Sequence, residues 1–277
     1  MSPVGRGARG VRRRRRHDPE WWTGFFDAQY LREYGILFTP ERDRYEVARL
    51  IDLLELPTGS RLLDVPCGQG RHAHLLAEAG FQVDAFDYSE TLLARARSRG
   101  TSSALRYRRG DMRRLPHAWT GRFDAVLNLS TSFGFFADPA DDVRVIREFA
   151  RVLRSGGTLV WQGGSRDGVM ARFLPRDWWL VRDSSLFVQE RQFDPLSGVL
   201  SVESQWVNGR RRGSRHHRIR LYTATRLAEL CADAGLLVEQ AYDGWDDRPL
   251  HRRASEMLLV ARKQAGARKL PAPAKRR

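Results

Sequence analysis

Apolar positions recur along this chain in two alternating rhythms, one with the period of a strand and one with the period of a helix. Arg61-Leu62-Leu63-Asp64-Val65 is a short apolar run of strand length. Gly70 to Ala79 places Ala73, Leu76 and Ala77 at helical spacing and ends at Gly80. Gln82 to Phe86 predicts a second strand, with Ser89 capping a helix through Arg99. Leu105 to Arg109 predicts a third strand and Phe123 to Leu127 a fourth. Asp141 to Leu153 predicts a helix stopped by Gly156-Gly157, before a fifth strand over Thr158 to Trp161. Upstream, Trp21-Trp22-Thr23-Gly24-Phe25-Phe26, Tyr30, Leu31, Tyr34 and Leu37-Phe38 form a segment too aromatic for a free linker. Pro40 suits the first turn of a helix reaching about Leu56. Strand and helix alternating at this spacing imply βαβ units with right-handed crossovers, hence a mainly parallel sheet with helices on both faces.

The rhythm breaks between residues 163 and 222. Leu186 to Phe193 and Val199 to Val207 are β-prone runs joined by Asp194-Pro195-Leu196-Ser197-Gly198, and a second turn at Asn208-Gly209 leads towards Arg218 to Tyr222. Asn-Gly between β-prone runs is a strong hairpin signal. Helix returns at Thr225 to Ala234, followed by apolar runs at Leu236 to Tyr242 and Met257 to Ala261. The expected architecture is α/β, with an inserted antiparallel, β-rich lid over about residues 163–222.

Charge changes this picture less than its total suggests. The formal charge is +15 over 277 residues, but seven bases lie in residues 1–16 and seven in 262–277, with no acid in either stretch, which leaves residues 17–261 at +1. Residues 1–17 and 264–277 read as disordered basic arms flanking one domain, 18–263. No run approaches the roughly 20 apolar residues of a membrane span. The arginines at 12–16 are followed by His17-Asp18-Pro19-Glu20 rather than by the apolar core of an export signal. Two cysteines, Cys67 and Cys231, cannot supply a disulfide framework or a four-ligand zinc site, so no metal is expected. These features lead us to expect a cytoplasmic protein without a membrane segment, its oligomeric state undetermined.

Candidate chemistry concentrates after the first strand, in Leu62-Leu63-Asp64-Val65-Pro66-Cys67-Gly68-Gln69-Gly70, followed by Asp87 at the tip of the second. A glycine turn there lets the backbone approach a bound adenosyl or phosphate group. An acid 19 residues beyond Gly68 can accept hydrogen bonds from ribose hydroxyls. Gly68-Gln69-Gly70-Arg71-His72-Ala73 also satisfies a dinucleotide pattern, but Asp64 would repel a pyrophosphate and suits a cationic amino group instead. A third acid follows the third strand in Gly110-Asp111-Met112, where it can accept from an adenine amino group while Met112 packs on the ring.

Three acids at three successive strand ends resemble the class I S-adenosylmethionine (SAM)-dependent methyltransferases, over about residues 20–263. The likeness is to bacterial small-molecule (specialised-metabolite) enzymes with a D-x-P-C-G-Q-G-R-H motif. It rests on Asp64 to His72, Asp87-Tyr88-Ser89, Gly110-Asp111-Met112, Ser130 to Phe136, Leu153 to Gly157 and Arg220-Leu221-Tyr222-Thr223. The resemblance implies a Rossmann-like fold and SAM as cofactor. It implies that Asp64 and Gly68 border the methionine part, that Asp87 holds the ribose, that Asp111 and Met112 hold adenine, and that Pro66, Cys67, Gly70, Tyr88 and Ser89 are also cofactor-binding. Asn128 and Leu129 would flank the sulfonium, and Arg42 would meet the methionine carboxylate. Two stretches depart from the pattern: Gln162 to Asp167, where relatives carry Asn or Asp, and Glu256, where Arg is common. Both fall where substrate or lid contacts are expected.

The implied reaction is methyl transfer to oxygen or nitrogen of a small-molecule acceptor, with natural-product biosynthesis as the setting. Candidate bases are His216, His217, Tyr30, Tyr34 and Tyr222. Alternation places His217 with Ile219 and His216 with Arg218, leaving open which face looks into the site. His72 and His74 read as helix-packing or solvated residues and Cys67 as a small turn residue. The aromatics Trp21 to Tyr30 read as core staples or as a wall of the site. Two other readings stay open. Arginines between 95 and 114, with those at 210–220, would serve an RNA methyltransferase. Alternatively, the fold would catalyse a cyclisation or rearrangement without methyl transfer.

Overall fold

The computed structural model describes residues 18–181 and 184–265, so the two basic arms lie outside the described residues apart from positions 264–265 at the start of the second. The chain opens with two short helices, α1 (Trp22–Phe25) and α2 (Ala28–Tyr34), followed by α3 (Pro40–Leu54), β1 (Arg61–Asp64), α4 (Arg71–Glu78), β2 (Gln82–Asp87), α5 (Glu90–Arg97), β3 (Leu105–Arg109), β4 (Phe123–Asn128), α6 (Pro139–Val152) and β5 (Leu153–Gly164). Helix starts follow local chemistry. The hydroxyls of Thr39 and Ser89 accept from the backbone N–H three residues on, the Asp138 carboxylate accepts from the Ala140 N–H, and Pro40 and Pro139 take first-turn positions. α6 therefore begins at Pro139, earlier than its apolar period predicts, and ends at Val152, before the glycine pair.

Strands β1 to β5 are parallel in the order β3-β2-β1-β4-β5. The sheet is completed by β11 (Glu256–Lys263), antiparallel to β5, and β10 (Leu236–Tyr242), antiparallel to β11. Adjacent residues on β1 enter opposite cores. Leu63 packs in the layer of α6 and of α8 (Ala224–Asp233), with Phe149 and Leu227. Leu62 packs in the layer of α3 and α4, with Leu50 and Leu76. Burial on both faces explains why the central strands read as continuous apolar runs. The strand order reverses between β1 and β4, and in open α/β sheets ligands bind beyond the strand ends at such a point.

Between β5 and α8 the chain forms α7 (Arg166–Ala171) and a separate antiparallel sheet of β6 (Arg176–Leu180), β7 (Leu186–Asp194), β8 (Val199–Asn208) and β9 (Arg211–Arg220). This antiparallel sheet is the β-rich insertion. β9 starts directly after Asn208-Gly209, not at Arg218, because the hairpin pairs Arg211 with Asn208 and continues through polar residues. Its root is fixed to α6: the Arg220 guanidinium and the Tyr222 hydroxyl both donate to Asp142 Oδ2, at 2.6 and 2.7 Å. Among the described residues no helix is long and apolar enough to cross a membrane, and no cluster of three or more His, Cys, Asp or Glu could hold a metal ion.

Candidate active site

A cavity opens beyond the C-terminal ends of β1 to β4, at the reversal of strand order. Its floor is the loop after β1. Gly68 and Gly70 both take left-handed backbone, φ 55° and 71°. A Cβ on Gly70 would lie 2.6 Å from the Tyr107 hydroxyl oxygen, so that glycine is required by packing inside the protein. A Cβ on Gly68 would meet nothing within 4 Å, because Gly68 stands on the cavity wall. Gly70 does not reach the wall and shapes the turn instead.

Asp87 ends β2 and closes this loop. Its Oδ2 accepts the Gly68 N–H at 2.8 Å and its Oδ1 the Ser89 N–H at 2.7 Å. Burial pushes its carboxyl up to about 6, against the lowering effect of these N–H donors. Ser89 lies off the wall. Its hydroxyl caps α5 and donates to the Phe26 carbonyl, which fastens α1 over the ribose side. Asp111 and Met112 stand on the wall beside Phe86 and Leu92. Arg113 grips Asp111 through Nε and Nη2, and its Nη1 reaches Asp141 at 2.8 Å. No sequence signal had marked Arg113 as the partner of Asp111.

Pro66, Cys67, Tyr88 and Leu129 also line the cavity, so the wall holds eight of the thirteen residues expected to surround the cofactor. Burial pushes the Cys67 thiol well above its ordinary range, in keeping with a small turn residue. Five expectations need correction. Asp64 lies beneath the loop, 1% exposed, and burial raises its carboxyl to about 7. Asn128 is fully buried and donates to the Val65 carbonyl at 2.8 Å, bracing β4 against β1. Gly70 and Ser89 act as described. Arg42 lies off the wall: its Nε donates to Glu46 Oε1 at 2.7 Å.

The arginine on the wall is Arg71, at the start of α4. It is buried, yet three carboxylate and hydroxyl groups hold it: Asp43 Oδ1 at 2.8 Å, Glu46 Oε2 at 2.5 Å and Ser130 Oγ at 2.5 Å. Three of its five N–H bonds are thus used, leaving the Nε–H and one Nη2–H without an acceptor among the described residues. His72, also on the wall, sets its Nε2 2.6 Å from Glu46 Oε2. Burial would raise Glu46, but the His72 hydrogen bond and the Arg71 charge outweigh it and hold the carboxyl at about 2. Burial, and then Arg71, lowers the His72 pKa against the raising effect of the Glu46 hydrogen bond.

The roof is aromatic and comes from α1, α2 and the segment after β4. Trp22 packs edge-on against Tyr88 and Phe136, with ring centroids 4.8 and 5.5 Å apart. Phe26 packs on Tyr30 at 5.1 Å and on Phe135 at 5.4 Å. Tyr30 is the one expected catalytic side chain on the wall, and burial pushes its hydroxyl up to about 12. Trp22, Phe26 and Tyr30 are therefore wall, whereas Trp21 and Phe25 staple the layer behind.

The other expected bases lie elsewhere. His217 sits in that second layer, 5.0 Å from the Phe25 ring and 5.8 Å from the Trp21 ring. Burial, then His216 and Arg215, lowers its imidazole to about 3. His216 is on the opposite face of β9, paired across from Glu203. Tyr222 is committed to Asp142, and Tyr34 accepts a hydrogen bond from Gln189 of the lid at 3.2 Å. His74 pairs with Glu78 one turn along α4, at 3.2 Å.

The residues present fit SAM. An acid supported by two N–H donors stands where ribose hydroxyls would be held, Asp111 flanks a slot bounded by Met112, Phe86 and Leu92, and Gly68 presents bare backbone. Arg71 adds an anchor for a carboxylate. The comparisons agree with this chemistry. Residues 62–157 match the model of a methyltransferase domain. A ubiquinone biosynthesis O-methyltransferase of Xanthomonas oryzae pv. oryzae is 32% identical over 216 residues, which is 70% of this chain and 84% of that one. The CcbJ methyltransferase from Streptomyces caelestis superposes with a TM-score of 0.73 at 19% identity, covering 85% of this chain and 96% of that one. SAM-bound CalS10, an amino pentose methyltransferase from Micromonospora echinaspora involved in calicheamicin biosynthesis, gives 0.63 at 26% identity, over 81% and 94%. The chain belongs to the class I SAM-dependent methyltransferases, and SAM is its cofactor.

Proposed function

We propose that this enzyme methylates an oxygen or nitrogen atom of a small-molecule acceptor. The observation that carries the proposal is the roof: the cavity is closed over by Trp22, Phe26, Tyr30, Phe135 and Phe136 rather than by an open basic groove. Aromatic walls suit a compact acceptor that must be desolvated before reaction. The arginines between 95 and 114 that would serve RNA are partly committed elsewhere: Arg97 to Glu90, Arg108 to Asp84, Arg109 to the Tyr88 carbonyl and Arg113 to Asp111. The two relatives that are 26% and 32% identical are, by name, an amino pentose methyltransferase and an O-methyltransferase.

SAM, when bound, supplies a methyl group on a good leaving group. The protein's part is alignment and exclusion of water. In this reading Asp87 holds the ribose, Asp111 with Met112 holds adenine, and Arg71, in place of Arg42, meets the methionine carboxylate. Tyr30 remains protonated at neutral pH and orients the acceptor's lone pair through its hydroxyl. It does not remove the proton. An amine acceptor therefore has to arrive neutral, and a hydroxyl acceptor has to be acidic, as a phenol is.

The test has two stages. Calorimetry should give micromolar SAM binding without NAD binding. Labelled methyl should then pass to a member of a panel of phenols, amines and amino sugars. Label found only in RNA, or no transfer with SAM bound, would overturn the proposal.

A further inference from the structure

Gln162, which opens the stretch 162–167 that departs from the expected pattern, and Glu256, the other departure, touch each other. Gln162 is near the end of β5 and 2% exposed, and its Nε2 donates to Glu256 Oε2 at 2.8 Å across the β5–β11 pairing. Its Oε1 accepts the backbone N–H of Ser130 at 2.7 Å, and its main-chain carbonyl accepts the N–H of Thr131 at 3.2 Å. One residue thus holds both units of the turn that follows β4.

That turn needs holding. Ser130 and Thr131 are consecutive non-glycine residues in left-handed backbone, φ 59° and 58°. Such residues cost about 1 kcal/mol or more each and persist where their surroundings over-determine them. The turn stands at the cavity: Ser130 is on its wall, and the Ser130 hydroxyl accepts from Arg71 Nη2.

The amide of Gln162 can face two ways, and its neighbours choose one. The Ser130 N–H can only donate, and the carboxylate of Glu256 can only accept. Together they fix Oε1 towards the turn and Nε2 towards β11. A carboxylate at 162 would instead meet the carboxylate at 256, whereas exchanging the two residues would restore one acceptor for Ser130 and one donor between the strands.

We infer that Gln162 and Glu256 are positioning residues for the cofactor's amino-acid end: they fix the Ser130–Thr131 turn, and through the Ser130 hydroxyl they fix the Arg71 guanidinium that meets the carboxylate of SAM. This rests on the assignment of Arg71 given above.

Calorimetry on the full chain tests it with two probes, SAM and 5′-methylthioadenosine, which keeps the adenosyl group and lacks the amino-acid part. Arg71→Met should weaken SAM about 30-fold or more and leave methylthioadenosine within about twofold. Gln162→Glu and Glu256→Ala should each weaken SAM about 5- to 20-fold, again sparing methylthioadenosine, and the exchange Gln162→Glu with Glu256→Gln should return SAM to within about threefold of wild type. Loss of both probes alike in Arg71→Met would overturn the Arg71 assignment and this inference with it. A selective loss in Arg71→Met, with an unchanged ratio of the two probes in Glu256→Ala and in the exchange partner Gln162→Glu, would overturn the positioning role alone. Should Gln162→Glu fail to fold, Glu256→Ala and the exchange still decide.

Discussion

The two ends of the cavity are built by different means. On the adenosyl side of the cofactor end, carboxylates at strand ends meet backbone: the Asp87 carboxylate takes the N–H groups of Gly68 and Ser89, and Asp111 takes that of Arg113. At the acceptor end, side chains reach groups far away along the chain. Arg215 of β9 donates to the Phe25 carbonyl, lies 3.2 Å from Asp27 and 3.5 Å from the buried Glu33, and stacks 4.1 Å above the Phe25 ring. Gln189 joins Tyr34 to Ser204 at 3.2 and 3.0 Å. The first construction follows from the strand-turn-helix geometry that the sheet imposes. The second depends on three separate pieces, α1, α2 and the lid, being docked together. A site made this way can keep its cofactor chemistry while its acceptor wall is rebuilt.

Breaking the cofactor end should give the largest effect on binding. Asp87→Ala leaves the Gly68 and Ser89 N–H groups without their acceptor and removes the acid from the ribose side. SAM affinity should fall about 30- to 100-fold, the scale of a lost buried hydrogen-bonded charge. Methylthioadenosine should fall as far, because it carries the same ribose. Calorimetry showing wild-type affinity in Asp87→Ala would remove the ribose assignment and, with it, the contrast drawn between the two ends.

At the acceptor end the expected loss is one of stability more than of cofactor binding. Arg215→Met strands Glu33, a fully buried carboxylate, although burial already raises its pKa so that it can take up a proton and limit the cost. Thermal unfolding should reveal a loss of about 2 kcal/mol, below the range for breaking a fully charged buried pair. SAM affinity should stay within about threefold of wild type, the variation expected between sites with few shared partners. If SAM affinity falls as steeply as in Asp87→Ala, the two ends are energetically one unit.

The same difference governs what the sequence reveals. Floor residues such as Gly68, Asp87 and Asp111 were legible because each follows a strand whose apolar run marks its end. Arg71 was not, although it stands inside the motif. Arg42 and Arg71 bind the same carboxylate, Glu46, and only the packing of α3 on α4 decides which guanidinium meets the cavity. The first two helices, of four and seven residues, are too short to show a period. β6 was missed because Trp178 and Trp179 put an aromatic on both faces, which erases alternation. Alternation did place His217 beside Ile219, but no local pattern could say that this face of β9 meets α1 rather than the cavity.

His217 offers the smallest and sharpest test of that last point. Lying behind the Phe26 and Phe135 wall, it should contribute no base: His217→Gln should keep methyl transfer within about twofold, the size of an ordinary peripheral change. Its effect belongs to stability and to pH. The folded protein holds the imidazole at about 3, well below the ordinary value near 6.5, so between these values the unfolded chain binds the proton and the folded one does not. Stability from this group is therefore complete above about pH 6.5 and is lost as pH falls towards 3. Asp64 and Asp87, raised to about 7 and about 6, act in the opposite sense, so the informative quantity is the difference between wild type and His217→Gln. Denaturant titrations from pH 7 to pH 5 should show wild type losing stability relative to the variant as acid is added. Parallel curves would place His217 in contact with water, and a collapse of methyl transfer in the variant would return it to the acceptor site.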